Sequence, residues 1–270
     1  MNAGGLDGAV GIVTGAGRGL GRAMALGLVR AGVRVIATAS RESAELDSVA
    51  AEAGGERLRA VTADVTREAD CARVVKAALD AFGPPDILVN NAGRGMKYVN
   101  ERFLTEPTRF WEIDPEVWRM VIDTNVNGPF LMARAATPHM IAAGRGRIVN
   151  ISMNHATMRR RGFSPYGPSK AALESETIIW AQELDGTGVT VNALLPGGAT
   201  ATGMIPVGFP ESERQKLLNP DIIVPPLLWL ASDASGSVTG QRVDASRWRS
   251  DLPQAEAAQA AMDNAGWALT

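Results

Sequence analysis

Tyr166 and Lys170 stand four residues apart in Tyr166-Gly167-Pro168-Ser169-Lys170. On a helix that spacing brings both side chains to one face. An ammonium beside a phenol favours the phenolate, because opposite charge stabilises the ionised form. A tyrosine base working near neutral pH needs its pKa drawn down from about 10 by roughly 3, or about 4 kcal/mol of differential interaction. The lysine supplies part of this, and a positively charged ring next to the phenol would supply more. Far upstream, Thr14-Gly15-Ala16-Gly17-Arg18-Gly19-Leu20-Gly21 follows a short apolar strand and opens a helical pattern. That is the setting of a phosphate cradle. Its spacing is Gly-x-x-x-Gly-x-Gly rather than Gly-x-Gly-x-x-Gly, and an ordinary glycine-rich turn is the alternative. A phosphate-binding turn upstream and a tyrosine acid/base downstream together point to hydride transfer.

The elements that must position these residues alternate along the chain. Short apolar runs at 10–13, 33–37, 58–62, 86–90, 147–152, 189–194 and 240–245 read as strands. Helical patterns at 22–31, 42–53, 68–82, 115–143, 220–231 and around Tyr166 lie between or after them, with Pro129 expected to kink the long one. Apolar strands alternating with helices predict a doubly wound α/β fold, its sheet mostly or wholly parallel and covered on both faces. No linker or repeat divides residues 1–270, so one domain is expected, with a tail extension at 246–270 that holds a helix over 253–264 and then Trp267.

Composition sets the bounds. Hydrophobic residues make up 46% of the 270, charged residues 21%, and the net charge is −2. This suits a globular protein with a sizeable core and argues against a nucleic-acid or acidic-membrane footprint. The single cysteine, Cys71, excludes a disulfide within the chain. There is neither a signal-peptide pattern at the start nor a long apolar span, and a cytoplasmic, metal-free protein is expected.

In order, the chain carries Thr14-Gly15…Gly19-x-Gly21, Asp64-Val65-Thr66, Asn90-Asn91-Ala92-Gly93, Asn125, Asn150-Ile151-Ser152, Tyr166…Lys170, Val191-Asn192, Pro196-Gly197 and Val238-Thr239-Gly240-Gln241. With these motifs it resembles the short-chain dehydrogenase/reductase family over nearly its full length. The resemblance implies a nucleotide site built by Gly15, Arg18, Gly19, Leu20, Gly21, Asp64, Val65, Asn91, Ala92, Gly93, Pro196 and Gly197. It implies that Lys170 binds the nicotinamide ribose, that Tyr166 exchanges the substrate proton and that Asn125 holds a water in a proton relay. The resemblance also implies that Asn90 flanks the cofactor; the alternative reading of Asn90 and Asn192 is that they stitch neighbouring backbones together.

One position departs from the family's pattern. Thirteen residues before the tyrosine, where a serine usually bonds the reacting oxygen, stands Met153. A thioether donates no hydrogen bond, and losing one such donor costs about 10²–10³ in rate. Ser152, Asn154 and His155 are the candidate replacements. The end of the second strand decides the cofactor. An acid there would bond a ribose 2′-OH, but the chain has Ala39 followed by Ser40 and Arg41, which suits the 2′-phosphate of NADP over NAD. Arg18 adds a second cation. For the substrate pocket the sequence offers Met153, Arg159 from the run Arg159-Arg160-Arg161, and Phe110 and Trp111 from the long loop after Gly93.

The expected activity is interconversion of a carbonyl and an alcohol with NADP(H), in a homodimer or homotetramer. Two alternatives stand beside it: a nucleotide-binding regulatory protein disabled at Met153, and an enzyme that reduces C=N.

Overall fold

The computed structural model describes residues 4–42, 44–206 and 209–266; Trp267 lies outside them. Seven parallel strands and one antiparallel strand form a single sheet in the order β3-β2-β1-β4-β5-β6-β7-β8. The strands are β1 (Val10–Val13), β2 (Arg34–Ala39), β3 (Leu58–Thr62), β4 (Ile87–Asn90), β5 (Gly146–Ile151), β6 (Val189–Leu195), β7 (Gln241–Asp244) and β8 (Met262–Asn264). The helices are α1 (Gly19–Arg30), α2 (Ala44–Glu52), α3 (Glu68–Ala81), α4 (Pro115–Ile122), α5 (Gly128–Ala143), α6 (His155–Met158), α7 (Tyr166–Glu183), α8 (Glu211–Arg214), α9 (Val224–Ala231) and α10 (Gln254–Ala261).

The central strands β1, β4 and β6 are wholly buried, which is why they read as continuous apolar runs and not as alternating ones. Each face of the sheet carries its own core. Met24, Leu28, Leu46, Leu227 and Leu230 pack on one side, from α1, α2 and α9. Val74, Met132, Ala136, Met140 and Leu184 pack on the other, from α3, α5 and the end of α7. The order reverses between β1 and β4, both of which end at the same edge, and a crevice opens outside the carboxyl ends there.

Two readings of the sequence are corrected. The stretch 115–143 is two helices joined by a π-helical segment, Asp123–Asn127, with Pro129 in the first turn of the second. Pro129 has no N–H to give the Asn125 carbonyl, so the α pattern is interrupted in the turn before the proline. The tail helix ends at Ala261, and residues 262–264 pair antiparallel with the open edge of β7. The sheet is therefore mostly, not wholly, parallel.

Candidate active site

The first βα turn lies at the sheet's switch point. Thr14 clamps it: its Oγ1 accepts from the Asn91 and Ala92 N–H groups at 3.0 Å each and donates to the Val89 carbonyl at 3.2 Å. Asn91 Nδ2 donates to the carbonyls of Thr14 (2.8 Å) and Gly15 (3.0 Å). Gly15 has φ +64°, and a β-carbon on Gly21 would come within 2.1 Å of the Gly15 oxygen. Only glycine fits either place.

A cleft of about 510 Å³ opens above this turn. It is lined by Gly15, Arg18, Gly19, Leu20 and Gly21, by Thr38, Ala39, Ser40 and Arg41, by Asp64 and Val65, and by Asn91, Ala92 and Gly93. Its features fit a dinucleotide. The N-terminus of α1 has no side-chain cap and no acid in its first turn, leaving N–H donors and a positive dipole end for phosphate. Thr38 Oγ1 is buried and makes no hydrogen bond among the described residues, so a ligand in the cleft would satisfy it.

Tyr166 opens α7 and Lys170 lies one turn further on. The Lys170 ammonium stands 6.0 Å from the centre of the Tyr166 ring and donates to the Ile151 carbonyl at 2.6 Å. Burial pushes the Tyr166 phenol up to about 12. Burial also pulls Lys170 down to about 8, against the opposing charge of Glu174. Within the chain, desolvation is the cause that moves the phenol, upward and contrary to the sequence expectation. Asn125, in the π-helical segment, is fully buried. Its amide donates to Ser169 Oγ and to the Arg94 carbonyl at 3.0 Å each, and its oxygen accepts from the Arg94 N–H at 2.8 Å. These bonds join the α4–α5 corner to the catalytic helix.

A second cavity, of about 250 Å³, adjoins Tyr166 and Lys170. Met153, Asn154 and Thr157 form one wall, and Met96, Phe103, Phe163, Met204 and Phe209 supply much of the rest.

The family model described as short chain dehydrogenase matches residues 9–208. The chain belongs to the short-chain dehydrogenase/reductase family. It is 35% identical over 256 residues to a short-chain type dehydrogenase/reductase of Picea abies, covering 88% of this chain and 91% of the relative. Among crystal structures it is similar to a 3-ketoacyl-(acyl-carrier-protein) reductase from Brucella melitensis complexed with NADH. That match has 32% identity and a TM-score of 0.78, and covers 88% of this chain and 97% of that one. A protein from Beutenbergia cavernae assigned as an NAD(P)-dependent gluconate 5-dehydrogenase, with bound NADP, matches with the same identity and TM-score over 91% and 97%. The chain is an NAD(P)-dependent short-chain dehydrogenase/reductase enzyme.

In this dehydrogenase/reductase the three candidate donors near Met153 have different surroundings. Ser152 Oγ donates to Glu174 Oε1 at 2.6 Å, and His155 Nε2 lies 3.0 Å from Glu174 Oε2. Asn154 lines the substrate cavity; its Oδ1 caps α6 by accepting the Thr157 N–H at 2.7 Å, and its Nδ2 has a longer 3.5 Å contact to the Gly197 carbonyl. Pro196 and Gly197 border the same cavity. Asn90 donates to Asn150 Oδ1 and Asn192 to the Val238 carbonyl, so both stitch backbone elements together.

Three pocket expectations are corrected. Phe110 and Trp111 lie in a 3₁₀ turn that faces outward, 69% and 64% exposed, packed edge to face on each other. The same loop turns Phe103 inward instead, where it meets Phe163. Arg159 and Arg160 both follow α6 and are both exposed, and only Arg160 borders the cavity. Sequence reasoning missed Thr38, Thr202 and Met204 in the nucleotide cleft, and Phe163 and Phe209 in the pocket. Thr38 directly precedes the Ala39-Ser40-Arg41 stretch and could have been found there; no motif marks the others, which are brought in by segments distant in sequence.

Proposed function

We propose that the protein interconverts a carbonyl and an alcohol using NADP(H) in preference to NAD(H). The observation that carries this is the adjacency of two spaces: the nucleotide cleft and the substrate cavity share Leu20, Asn91, Gly93, Thr202 and Met204, and Tyr166 and Lys170 stand at the second. When bound, a nicotinamide ring supplies or accepts the hydride. Tyr166 gives its proton to the carbonyl oxygen during reduction and takes the alcohol proton during oxidation. Lys170, as an ammonium, bonds the ribose and stabilises the phenolate through its charge. Asn125 fixes the corner through which the proton is replenished from solvent.

The preference for NADP rests on the end of β2. Ala39 offers no carboxylate to a 2′-OH, while Ser40, Arg41 and Arg18 border the cleft. Glu42 and Glu45 border it too, but Glu45 lies 3.6 Å from the Arg18 guanidinium and is offset by it. A relative bearing the name 3-oxoacyl-(acyl-carrier-protein) reductase supports carbonyl reduction; the neighbours hold NADH in one case and NADP in the other, so they support NAD(P) use and the preference rests on the end of β2 alone.

We further propose a single cytoplasmic domain that assembles as a homodimer or homotetramer. Trp118, Phe130 and Ile179 are 38%, 45% and 49% exposed on α4, α5 and α7, apolar surface of the kind that a second copy would cover. Among the described residues no helix is long and apolar enough to cross a membrane.

Turnover of NADPH against a panel of ketones and aldehydes, beside a titration of NADPH binding, tests the reading. Consumption of NADPH with any carbonyl supports it. Tight binding without turnover would favour the regulatory alternative, and turnover confined to imines would favour C=N reduction.

A further inference from the structure

The substrate cavity is electrostatically lopsided. Among the described residues that line it there is no aspartate or glutamate, and its cations are Lys170 and Arg160. Lys170 is committed to the nucleotide side and to the Ile151 carbonyl. Arg160 remains.

Its placement is specified by its surroundings. Asn154 caps α6, and the turn after it is closed by the Arg160 N–H on the Thr157 carbonyl and the Phe163 N–H on the Arg160 carbonyl, at 3.1 Å each. The Arg160 guanidinium sits 5.4 Å from the centre of the Phe163 ring. Phe163 is itself held edge to face by Phe103, with centroids 5.8 Å apart and rings at 81°. The long loop is anchored against the same turn, since a β-carbon on Gly162 would meet Pro107 at 2.5 Å. An aromatic platform therefore carries a cation at the edge of an apolar box. Arg18, Arg22, Arg73 and Arg145 are each paired with a carboxylate. Arg160 has no such partner among the described residues.

We propose that the substrate carries a carboxylate remote from its carbonyl, attached through an apolar body, and that Arg160 binds this carboxylate at the mouth of the pocket. The guanidinium fork matches a carboxylate in two parallel hydrogen bonds. Of the three consecutive arginines 159–161 only Arg160 lines the cavity, and one guanidinium there suits one negative charge better than the two of a phosphate. Met153, Phe103, Phe163 and Phe209 take the apolar body. The inference rests on the carbonyl/alcohol reading of the same site.

Matched ketones test it: benzylacetone against its para-carboxylate, and methyl hexyl ketone against its ω-carboxylate. In the wild type, kcat/KM with NADPH should favour the better-fitting carboxylate over its neutral twin by about 5-fold or more, the scale of one charge-assisted pair at a rim. The ratio should fall as salt is raised. Arg160→Gln should collapse it toward 1, Arg160→Lys should keep part of it, and Arg161→Gln, at an exposed position off the cavity, should leave it intact. Equal rates for acid and neutral ketone in the wild type, or a ratio unmoved by Arg160→Gln, would overturn the inference. The same pairs titrated calorimetrically onto the NADPH-loaded protein decide the matter if no ketone turns over. That failure would count against hydride transfer, whereas carboxylate-selective binding lost in Arg160→Gln would still support the anion site and its absence would overturn it.

Discussion

Ser152 Oγ donates to Glu174 Oε1 at 2.6 Å, in a buried cluster that also holds His155, the Arg242 guanidinium and the Gly266 N–H. That bond commits the hydroxyl proton at the end of β5 to a carboxylate and not to a substrate. It also joins β5, α6, α7, β7 and the C-terminal segment through a single side chain, one helical turn beyond Lys170. With Arg242 bonding the Met153 carbonyl at 2.8 Å, the backbone beside the reacting centre is fixed from behind.

Ser152→Ala should therefore act on stability. Losing a buried hydrogen bond to a charged group costs about 1.5–3 kcal/mol, so the Tm should fall while the chemical step slows little. A loss of kcat near 10²-fold at unchanged Tm would instead make Ser152 the donor.

Met153→Ser should raise kcat on simple ketones by about 10-fold over Met153→Ala, since both open space but only serine restores a donor. Equal rates for the two variants would mean that no hydroxyl is wanted there. Asn154→Asp then becomes informative: it keeps an oxygen to cap α6 but removes the amide donor, and a fall in kcat without a fall in Tm would assign the donor to Asn154.

NADPH should bind more tightly than NADH, and Ala39→Asp should reverse the order by repelling the 2′-phosphate and bonding the 2′-OH. Paired Kd measurements on wild type and variant check this. A wild type that prefers NADH would refute the reading of the end of β2.

Nucleotide binding should weaken in alkali. Lys170 lies at about 8 in the free protein, and the ammonium is the form that can donate to a ribose and oppose a phenolate. Its contribution is complete well below pH 8. A ribose that accepts from the ammonium would raise that pKa on binding, so the contribution declines as pH rises from about 8. NADPH Kd should rise about 10-fold between pH 7 and pH 9.5 in the wild type and much less in Lys170→Met. A flat wild-type profile would remove Lys170 from the nucleotide site.

Much of this architecture is legible in the chain because its signals are local. β1 and β3 have the bounds that their apolar runs suggest, and the turn glycines sit where a strand meets a helix. The Glu174 cluster was not legible: Ser152, Glu174, Arg242 and Gly266 are spread over more than 100 residues and meet only after the sheet is assembled. Phe110 and Phe103 show the same limit within one loop, because aromatic content does not say which ring turns inward. The raised Tyr166 phenol is a property of burial, which the spacing of Tyr166 and Lys170 does not contain.

The central claim is that Tyr166 moves the substrate proton and does not hold the nucleotide. The most direct test compares wild type with Tyr166→Phe in two readouts, the single-turnover rate of NADPH oxidation by a ketone substrate and NADPH Kd. Tyr166→Phe should lose about 10²–10⁴-fold in rate, the range of a general acid, with Kd nearly unchanged. A Tyr166→Phe enzyme that still turns over at the wild-type rate would contradict it.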